Sequence, residues 1–266
     1  MISQIQPIPA FTHNYIWAIS DQEHNSACVV DPGDATPVIS YLEAHHLKLV
    51  DILITQHYPD HTGGLKKLIA KYSPKVCGPG SSNISGISNY VSEGDQVELF
   101  GPMFFVIDAP GHTLDHIANY SQSDSLKAPI LFCGDTTFAG GCGRLFEGTP
   151  AVMRKSVSKH RALQPTTEVY CTHEYTLAHM KFSPAADPDN VLLIKRLTSE
   201  QGKRESLNPP CPPVFNSRST LTRFCAVNSR PCRKVPHLSS VIPLQTQLQY
   251  SLQSGVGRIT SRTLLS

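Results

Sequence analysis

The stretch LITQHYPDHTGG, Leu53–Gly64, decides the interpretation of this chain. It overlaps the apolar run VDILIT (residues 50–55), which is typical of a buried β-strand, and it holds His57, Asp60 and His61 within five residues. Imidazole and carboxylate groups suit a borderline metal such as zinc. The stretch therefore predicts one side of a metal site, in which His57 is interpreted as a spacer.

Strand and helix patterns alternate over the first 205 residues, which predicts an α/β layered architecture. Strands are predicted at residues 14–20, 27–30, 50–55, 96–100, 103–108, 116–121, 129–133 and 168–172. Helices are predicted at residues 36–46, 65–72, 150–163, 176–182 and 189–204. Two of the helices are expected to begin with a threonine cap followed by proline, at Thr36-Pro37 and at Thr149-Pro150.

Further side chains with metal-binding chemistry follow the ends of three predicted strands. They are His112 after 103–108, Asp135 after 129–133 and His173 after 168–172. Because ligand sites gather at strand ends in such sheets, we expect these residues to meet Asp60 and His61. His116 is a candidate for a residue that orients a ligand. The alternatives are that each histidine is an ordinary surface or packed residue and that Asp135 only shapes a turn.

The bulk composition fits a globular protein, with 40% hydrophobic and 17% charged residues among 266. There is no apolar run of 18 residues and no signal-peptide pattern at the amino terminus, so we expect a cytoplasmic protein that does not bind membranes. None of the eight cysteines forms a CxxC pair. They are therefore expected to be thiols rather than disulfides or zinc ligands.

Longer sequence blocks resemble the hydroxyacylglutathione hydrolase (glyoxalase II) family of the metallo-β-lactamase superfamily. These blocks are PIPAFTHNYIW (7–17), APGHTLDH (109–116), LFCGDTTFAGGCGRLFEGT (131–149) and YCTHEYTLAHMKF (170–182). The superfamily signature T-H-x-H-x-D-H falls without a gap on residues 55–61, with Gln56 and Tyr58 in place of two histidines. The resemblance covers roughly residues 1–205 and is expected to stop shortly after residue 206.

This resemblance implies a four-layer αβ/βα sandwich with a helical carboxyl-terminal region. Residues 1–173 would form the metal-binding domain, and residues 174–266 would form the glutathione-binding region. Two divalent metals would lie at one edge of the sandwich. Zinc is favoured, with iron and manganese as alternatives.

Carried over residue by residue, the resemblance implies the ligands of both metals. Asp60, His61 and His173 would hold the second metal, with Asp135 bridging, and Asp60 and Asp135 would also serve catalysis. The first metal would be held by His112, Asp135 and positions 56 and 58. Gln56 offers a neutral oxygen, and the phenol of Tyr58 has a pKa near 10 in model peptides, so the first metal is expected to bind weakly.

The implied reaction is hydrolysis of S-(2-hydroxyacyl)glutathione, chiefly S-lactoylglutathione, to glutathione and lactate by a metal-bound hydroxide. The resemblance implies that this hydrolysis serves methylglyoxal detoxification. Arg144, Phe146 and Tyr175 match positions around the glutathione moiety, and Phe146 stands where tyrosine is common. Arg144 as a solvated loop charge and Tyr175 as packing are the alternatives. We expect a monomer that acts on a small molecule.

Two other functions remain open from the sequence. One is a catalytically impaired relative that keeps only the metal site of Asp60, His61, Asp135 and His173. The other is a different hydrolase of the superfamily, such as a lactonase, although the blocks GCGRLFEGT and HEYT argue against it. The loss of two histidines at positions 56 and 58 is the reason to consider the first.

The last 61 residues differ sharply in composition from the rest. They carry seven Arg and Lys and no Asp or Glu, so residues 1–205 have a net charge of −5 and residues 206–266 of +7. A disordered basic tail is one interpretation. A nucleic-acid-binding tail is another, but basic residues with interleaved aromatics are absent. We favour translation in a shifted reading frame, and resequencing the gene tests this, because an unbroken frame encoding the same tail contradicts it.

Overall fold

Two six-stranded β-sheets form the centre of the protein. The computed structural model describes residues 1–179 together with residues 198, 202, 215 and 216. All of them lie within one compact unit, Met1–Ala226. The expected domain boundary at residue 173 stays a prediction, and the expected helix at 189–204 lies almost entirely outside the described residues.

The first sheet contains the strands β1 (Gln4–Ala10), β2 (Asn14–Asp21), β3 (Ser26–Val30), β4 (Lys48–Leu53), β5 (Lys75–Pro79) and β6 (Asn89–Val91), in that order. The second contains β7 (Gln96–Glu98), β8 (Met103–Asp108), β9 (Ile117–Ser121), β10 (Ile130–Gly134), β13 (Glu168–Cys171) and β14 (Phe215–Asn216), in the order β14-β13-β10-β9-β8-β7. Between β10 and β13, the short strands β11 (Thr137–Phe138) and β12 (Gly141–Cys142) form a hairpin.

The β2 strand explains how the layers stack. All eight of its residues are buried, and successive side chains point to opposite faces of a sheet. Ile16 and Ala18 belong to a cluster with residues of the helices on one side. Trp17 and Ile19 belong to a cluster with residues of the second sheet on the other. The first sheet is therefore covered on both faces, which requires a nearly continuous apolar strand.

Helices cover the outer faces of both sheets. They are α1 (Ala35–Ala44), α3 (Leu65–Tyr72) and α4 (Pro150–Arg161), whereas the short helix α2 (Pro59–Thr62) lies between β4 and α3 in the chain. Leu42 of α1 and Leu68 of α3 pack in the same cluster as Ile16. Ser156 of α4 donates a hydrogen bond to the carbonyl oxygen of Pro110, behind the second sheet. The sequence-predicted α/β class with layered sheets and helices is confirmed.

The predicted start of α1 was wrong by two residues. The cap is Asp34, whose carboxylate accepts a hydrogen bond from the backbone N–H of Thr36 at 2.8 Å, and the helix begins at Ala35. Pro37 then falls within the first turn, where a missing N–H costs nothing because those donors have no partner inside the helix. The cap at Thr149 and proline at Pro150 agree with the prediction.

Some short elements escaped the sequence analysis. The strands β5, β6, β11 and β12 and the helix α2 are two to five residues long, too short to produce a periodic pattern. Another helix begins at Thr176, as expected, and is described as far as His179. In the part of the chain that the structure describes, no helix has the length and apolarity needed to cross a membrane. Among the cysteines described, Cys28, Cys77, Cys133 and Cys171 are buried free thiols.

His160 is a buried residue of α4. Its buried neighbours on the same helix, Met153 and Val157, are apolar, so a hydrophobic residue would be expected at this position. Nδ1 of His160 lies 2.8 Å from the hydroxyl of Thr137. Burial, with a smaller effect of Lys159, lowers the pKa of His160 from 6.5 to about 4. The imidazole is therefore neutral in the folded protein at neutral pH.

This buried imidazole should make the protein sensitive to mild acid. As the pH falls from 6.5 towards 4, the unfolded chain binds a proton at His160 that the folded chain excludes, so the free energy of unfolding decreases. The loss at pH 5 relative to pH 7 should be about 2 kcal/mol. Urea titrations of the wild type and His160→Leu measure it. The leucine variant should lose this pH dependence, and exposed His45→Leu should keep it; equal pH dependence in all three contradicts the assignment.

Candidate metal centre

Four strand ends converge at one edge of the sandwich. Asp60 and His61 lie on α2, which follows β4 after a short loop. His112 follows β8, Asp135 follows β10 and His173 follows β13. The structure thus brings together all five residues that the sequence placed after strand ends.

The carboxylate of Asp135 is the centre of this group. Its Oδ2 atom lies 3.2 Å from Nε2 of His61, 3.2 Å from Nε2 of His112 and 3.3 Å from Nε2 of His173. Oδ2 of Asp60 lies 3.3 Å from Nε2 of His173 and 3.8 Å from Nε2 of His61. The group therefore has two carboxylates facing three imidazole nitrogens.

These separations fit ligands of a common metal. Two atoms about 2.0–2.2 Å from one tetrahedral ion lie roughly 3.3 Å apart. One ligand atom from each of Asp60, His61, Asp135 and His173 lies within 4.8 Å of the others, so this set could hold a metal ion. Oδ1 of Asp135 is buried and accepts no hydrogen bond from the residues that the structure describes. Buried polar atoms are normally satisfied, and a cation would satisfy this oxygen.

The charges of the group depend on one another. Burial alone would raise the pKa of Asp135, but His173 and His61 outweigh it and hold that pKa well below its usual value. Burial likewise opposes protonation of His173, but Asp135 and Asp60 raise its pKa to about 9. The pKa of Asp60 falls to about 2 because His173 and His61 outweigh burial. Both carboxylates are thus ionised at neutral pH, the form that binds a cation.

Asp31, which the sequence analysis missed, fixes the orientation of His61. Its Oδ2 lies 3.0 Å from Nδ1 of His61. The backbone N–H and hydroxyl of Thr55 each donate to Asp31 at 2.8 Å, and the hydroxyl of Thr172 donates at 3.3 Å. A carboxylate on the second nitrogen of a metal-binding imidazole sets its tautomer. The position of Asp31 at the end of β3, before Pro32-Gly33, was the signal that could have revealed it.

His116 supports Asp135 through the backbone, as the sequence predicted. Its Nε2 accepts a hydrogen bond from the backbone N–H of Asp135 at 3.0 Å. Burial lowers the pKa of His116 well below its usual value, so the ring is neutral. Gly134 has a φ of +48°, and a Cβ there would lie 2.7 Å from Nε2 of His116. Glycine is therefore required for this approach of imidazole to backbone.

Gln56 and Tyr58 do not present ligands to the centre. The side-chain oxygen of Gln56 accepts a hydrogen bond from the backbone N–H of Tyr58 at 2.9 Å, and its amide nitrogen is buried without a hydrogen-bond partner in the described residues. An amide nitrogen is a donor and does not bind a cation. Burial is the largest cause that raises the pKa of Tyr58, and the nearby acids Glu147 and Asp115 raise it further. This disfavours the phenolate.

The three residues expected around the substrate lie on two sides of the centre. Phe146 is 53% exposed, and its ring lies 5.1 Å from that of His112 and 5.8 Å from that of Tyr58. Arg144 is exposed, with its guanidinium carbon 6.0 Å from the Phe146 ring, and its carbonyl oxygen accepts from Nδ1 of His112 at 2.8 Å. This bond leaves Nε2 of His112 facing Asp135.

On the opposite side, Tyr175 is half-buried and stacks on His173. The ring centroids are 5.0 Å apart and the planes differ by 13°. The ring of His13 lies 6.0 Å from that of Tyr175. Asn14, which follows His13 and begins β2, donates a hydrogen bond from its side-chain amide to Oδ2 of Asp60 at 3.2 Å. The amino-terminal strands therefore contribute to the site, which histidine spacing alone did not reveal.

Comparison with known proteins gives a consistent result, although no family model matches the chain. A hydroxyacylglutathione hydrolase from Chromohalobacter salexigens is 44% identical over 222 residues, which cover 84% of this chain and 86% of that protein. A protein of the same name from Hahella chejuensis is 42% identical over 245 residues, 92% of this chain and 94% of its own. The prediction that the resemblance stops shortly after residue 206 is therefore wrong, because 245 aligned residues extend past that point.

Solved structures of low sequence identity share the fold. ETHE1 from Myxococcus xanthus superposes with a TM-score of 0.58 at 20% identity, covering 85% of this chain and 99% of that chain. The B3 metallo-β-lactamase BLEG-1 superposes with a TM-score of 0.55 at 22% identity, covering 64% and 91%. The fold is that of the metallo-β-lactamases.

The role of Asp31 can be tested by removing its charge. Asp31→Asn keeps the size of the side chain but removes the negative charge that favours the proton on Nδ1 of His61, so Zn²⁺ affinity should fall about 10–100-fold. Competition with a chromophoric chelator measures this affinity. Asp124→Asn, in an exposed loop, is the matched control and should bind Zn²⁺ as the wild type does. Equal Zn²⁺ affinity of the wild type and both variants would show that Asp31 does not contribute to metal binding.

Proposed function

The chain belongs to the hydroxyacylglutathione hydrolase, or glyoxalase II, family of the metallo-β-lactamase superfamily, and on this premise we propose that it hydrolyses S-(2-hydroxyacyl)glutathione thioesters. The products are glutathione and a 2-hydroxy acid. The preferred substrate in this proposal is S-lactoylglutathione, which gives lactate in the detoxification of methylglyoxal. The observation that supports it best is the set of three buried imidazoles around Oδ2 of the buried Asp135, with the half-buried carboxylate of Asp60 beside two of them.

The donor set favours zinc, with iron or manganese as alternatives. Imidazole nitrogens and carboxylate oxygens whose ligand atoms lie within 4.8 Å of one another suit zinc. Asp60, His61, Asp135 and His173 would hold the tightly bound metal. A divalent metal bound there activates a water molecule and polarises the thioester carbonyl.

The protein residues prepare the centre for that reaction. Asp135 and Asp60 stay ionised at neutral pH, since the imidazoles hold their pKa values low. Asp31 fixes the ring of His61, and the carbonyl oxygen of Arg144 fixes the ring of His112. Because these orientations exist before the substrate binds, no reorganisation is required during the reaction.

The first metal position is proposed to be weak in this chain. Of its expected side chains, only His112 and Asp135 direct a ligand atom inward, since the oxygen of Gln56 is engaged by a backbone N–H. Catalytic zinc normally has three protein ligands. We therefore propose a hydrolase of reduced activity. A catalytically inactive metal-binding relative is the alternative, and the named relatives favour the enzyme over it.

Glutathione recognition is proposed for the exposed rim of the centre. Arg144 carries a planar guanidinium that can bind a carboxylate through two hydrogen bonds. Phe146 and Tyr175 offer aromatic surface on the two sides of the metal ligands. Phe146 has no hydroxyl, so it contributes contact area without a hydrogen bond.

The setting of this activity is also a proposal. Free thiols at the four buried cysteines suit a reducing compartment, which supports a cytoplasmic enzyme. We propose that it works as a monomer on a small molecule, without nucleic acid or membrane. Residues 174–266 are proposed to complete the glutathione pocket.

Restoring the two missing imidazoles tests the proposal. The double variant Gln56→His/Tyr58→His should raise the Zn²⁺ content from about one to about two per chain. The kcat/KM for S-lactoylglutathione should rise at least about 100-fold, because losing even a supporting partner costs 10–100-fold. Elemental analysis and a thioesterase assay on the full chain measure both.

A matched control places the same residue types elsewhere. Gln22→His/Tyr90→His adds two histidines at exposed positions and should change neither value. If the restored variant binds two metals and still hydrolyses no glutathione thioester, the substrate assignment is wrong.

A further inference from the structure

His57, which the sequence analysis interpreted as a spacer, joins two acidic side chains beside the metal centre. Its Nδ1 lies 2.9 Å from Oδ1 of Asp115, and its Nε2 lies 3.3 Å from Oε1 of Glu147. The imidazole therefore stands between two carboxylates that come from different parts of the chain. None of the three residues belongs to the proposed metal ligands.

Asp115 holds the ring of His57 in place. Its side chain is only 7% exposed, whereas that of His57 is 37% exposed. The hydrogen bond at one nitrogen of an imidazole determines what the other nitrogen can do, and a buried partner makes that bond stable. The ring thus presents Nε2 to Glu147 in a fixed direction.

The two carboxylates need the imidazole between them. One oxygen of Asp115 lies within 4.8 Å of one oxygen of Glu147. Two carboxylate groups at that distance repel each other. Glu147 is the more exposed of the two, with 32% of its side chain accessible. Without His57, the repulsion would therefore move Glu147 outward.

Glu147 ties two loops together. Its Oε2 accepts a hydrogen bond from the backbone N–H of Leu114 at 2.7 Å. Its own backbone N–H and that of Phe146 each donate to the carbonyl oxygen of His112 at 3.3 Å. The bond to the carboxylate is the shortest of the three and involves a charged acceptor, so it contributes most to holding the loop after β12 against the loop after β8.

The loop that carries Glu147 has no helix or strand of its own. It joins β12, which ends at Cys142, to α4, which begins at Pro150, and residues 144–147 are all exposed. A short exposed segment with few buried contacts opens easily. Its position therefore depends on anchoring contacts such as those of Glu147.

We propose that His57 is a positioning residue for the substrate. By holding the carboxylate of Glu147, it sets the loop of Arg144 and Phe146 at the rim of the metal centre before the substrate binds. The inference rests on the proposed function, which assigns those two side chains to glutathione recognition. An anchored loop does not have to be ordered on binding, so the substrate binds more tightly.

Loss of this contact should weaken binding without slowing the chemical step. His57→Gln and Glu147→Gln should each raise the dissociation constant of glutathione, and the KM for S-lactoylglutathione, about fivefold, as expected for a partly exposed charged contact. The kcat and the bound Zn²⁺ should stay as in the wild type, because the proposed metal ligands are untouched. A rise in KM at constant kcat is the signature of lost substrate binding.

The double variant His57→Gln/Glu147→Gln separates positioning through Glu147 from two independent effects. If His57 acts only through Glu147, the second substitution adds nothing, so the double variant should match the single variants. Two independent effects would multiply to about 25-fold. Calorimetry with glutathione, steady-state thioesterase kinetics and elemental analysis of zinc on the full-length chain measure these quantities.

Two substitutions outside the rim are the matched controls. His24 has its Nδ1 2.7 Å from Oδ2 of Asp21, and Glu98 is an exposed residue of β7. His24→Gln and Glu98→Gln should both bind glutathione as the wild type does. Because Glu147 is also exposed, Glu147→Gln decides the question if His57→Gln does not fold.

The outcomes distinguish this inference from the function on which it rests. Equal glutathione affinity of the wild type, His57→Gln and Glu147→Gln overturns the inference and leaves the proposed function standing. A 25-fold effect in the double variant, or a loss of zinc in Glu147→Gln, overturns it too. A wild type that neither binds glutathione nor cleaves its thioesters overturns the proposed function together with this inference.

Discussion

The buried carboxylate of Asp135 is the constraint on which the rest of the site depends. An ionised carboxylate in a protein interior is tolerated only when it is paired, and here three imidazoles approach the same oxygen. The imidazoles come from separate segments that follow β4, β8 and β13. The two sheets must therefore end at the same edge of the sandwich for this charge to be compensated.

Much of this arrangement could be predicted from the sequence because it follows from strand ends. Asp60, His61, His112, Asp135 and His173 were identified since each follows an apolar run, and the structure brings all of them together. Asp31 was missed although it also follows a strand, because a carboxylate before Pro-Gly is an ordinary turn signal. Its role depends on Thr172, which lies 141 residues away, and such a pairing leaves no local pattern.

The substitutions at positions 56 and 58 illustrate a different limit. The family resemblance predicts that two imidazoles are replaced, but it did not determine how the replacements are accommodated. Gln56 turns its oxygen to a backbone N–H, and the ring of Tyr58 packs among those of His57, His112 and Phe146. The aromatic packing explains how a large phenol is accepted beside the metal ligands. It also means that Tyr58 occupies part of the space in front of His112.

The contacts of Asp31 have a consequence for the lifetime of the fold. Its carboxylate holds Thr55 at the end of a strand in one sheet, Thr172 at the end of a strand in the other, and His61 of the centre. A metal that binds only the folded arrangement shifts the folding equilibrium by mass action. Metal supply in the cell would thus regulate how much of this protein survives proteolysis, in addition to the catalytic rate of each molecule.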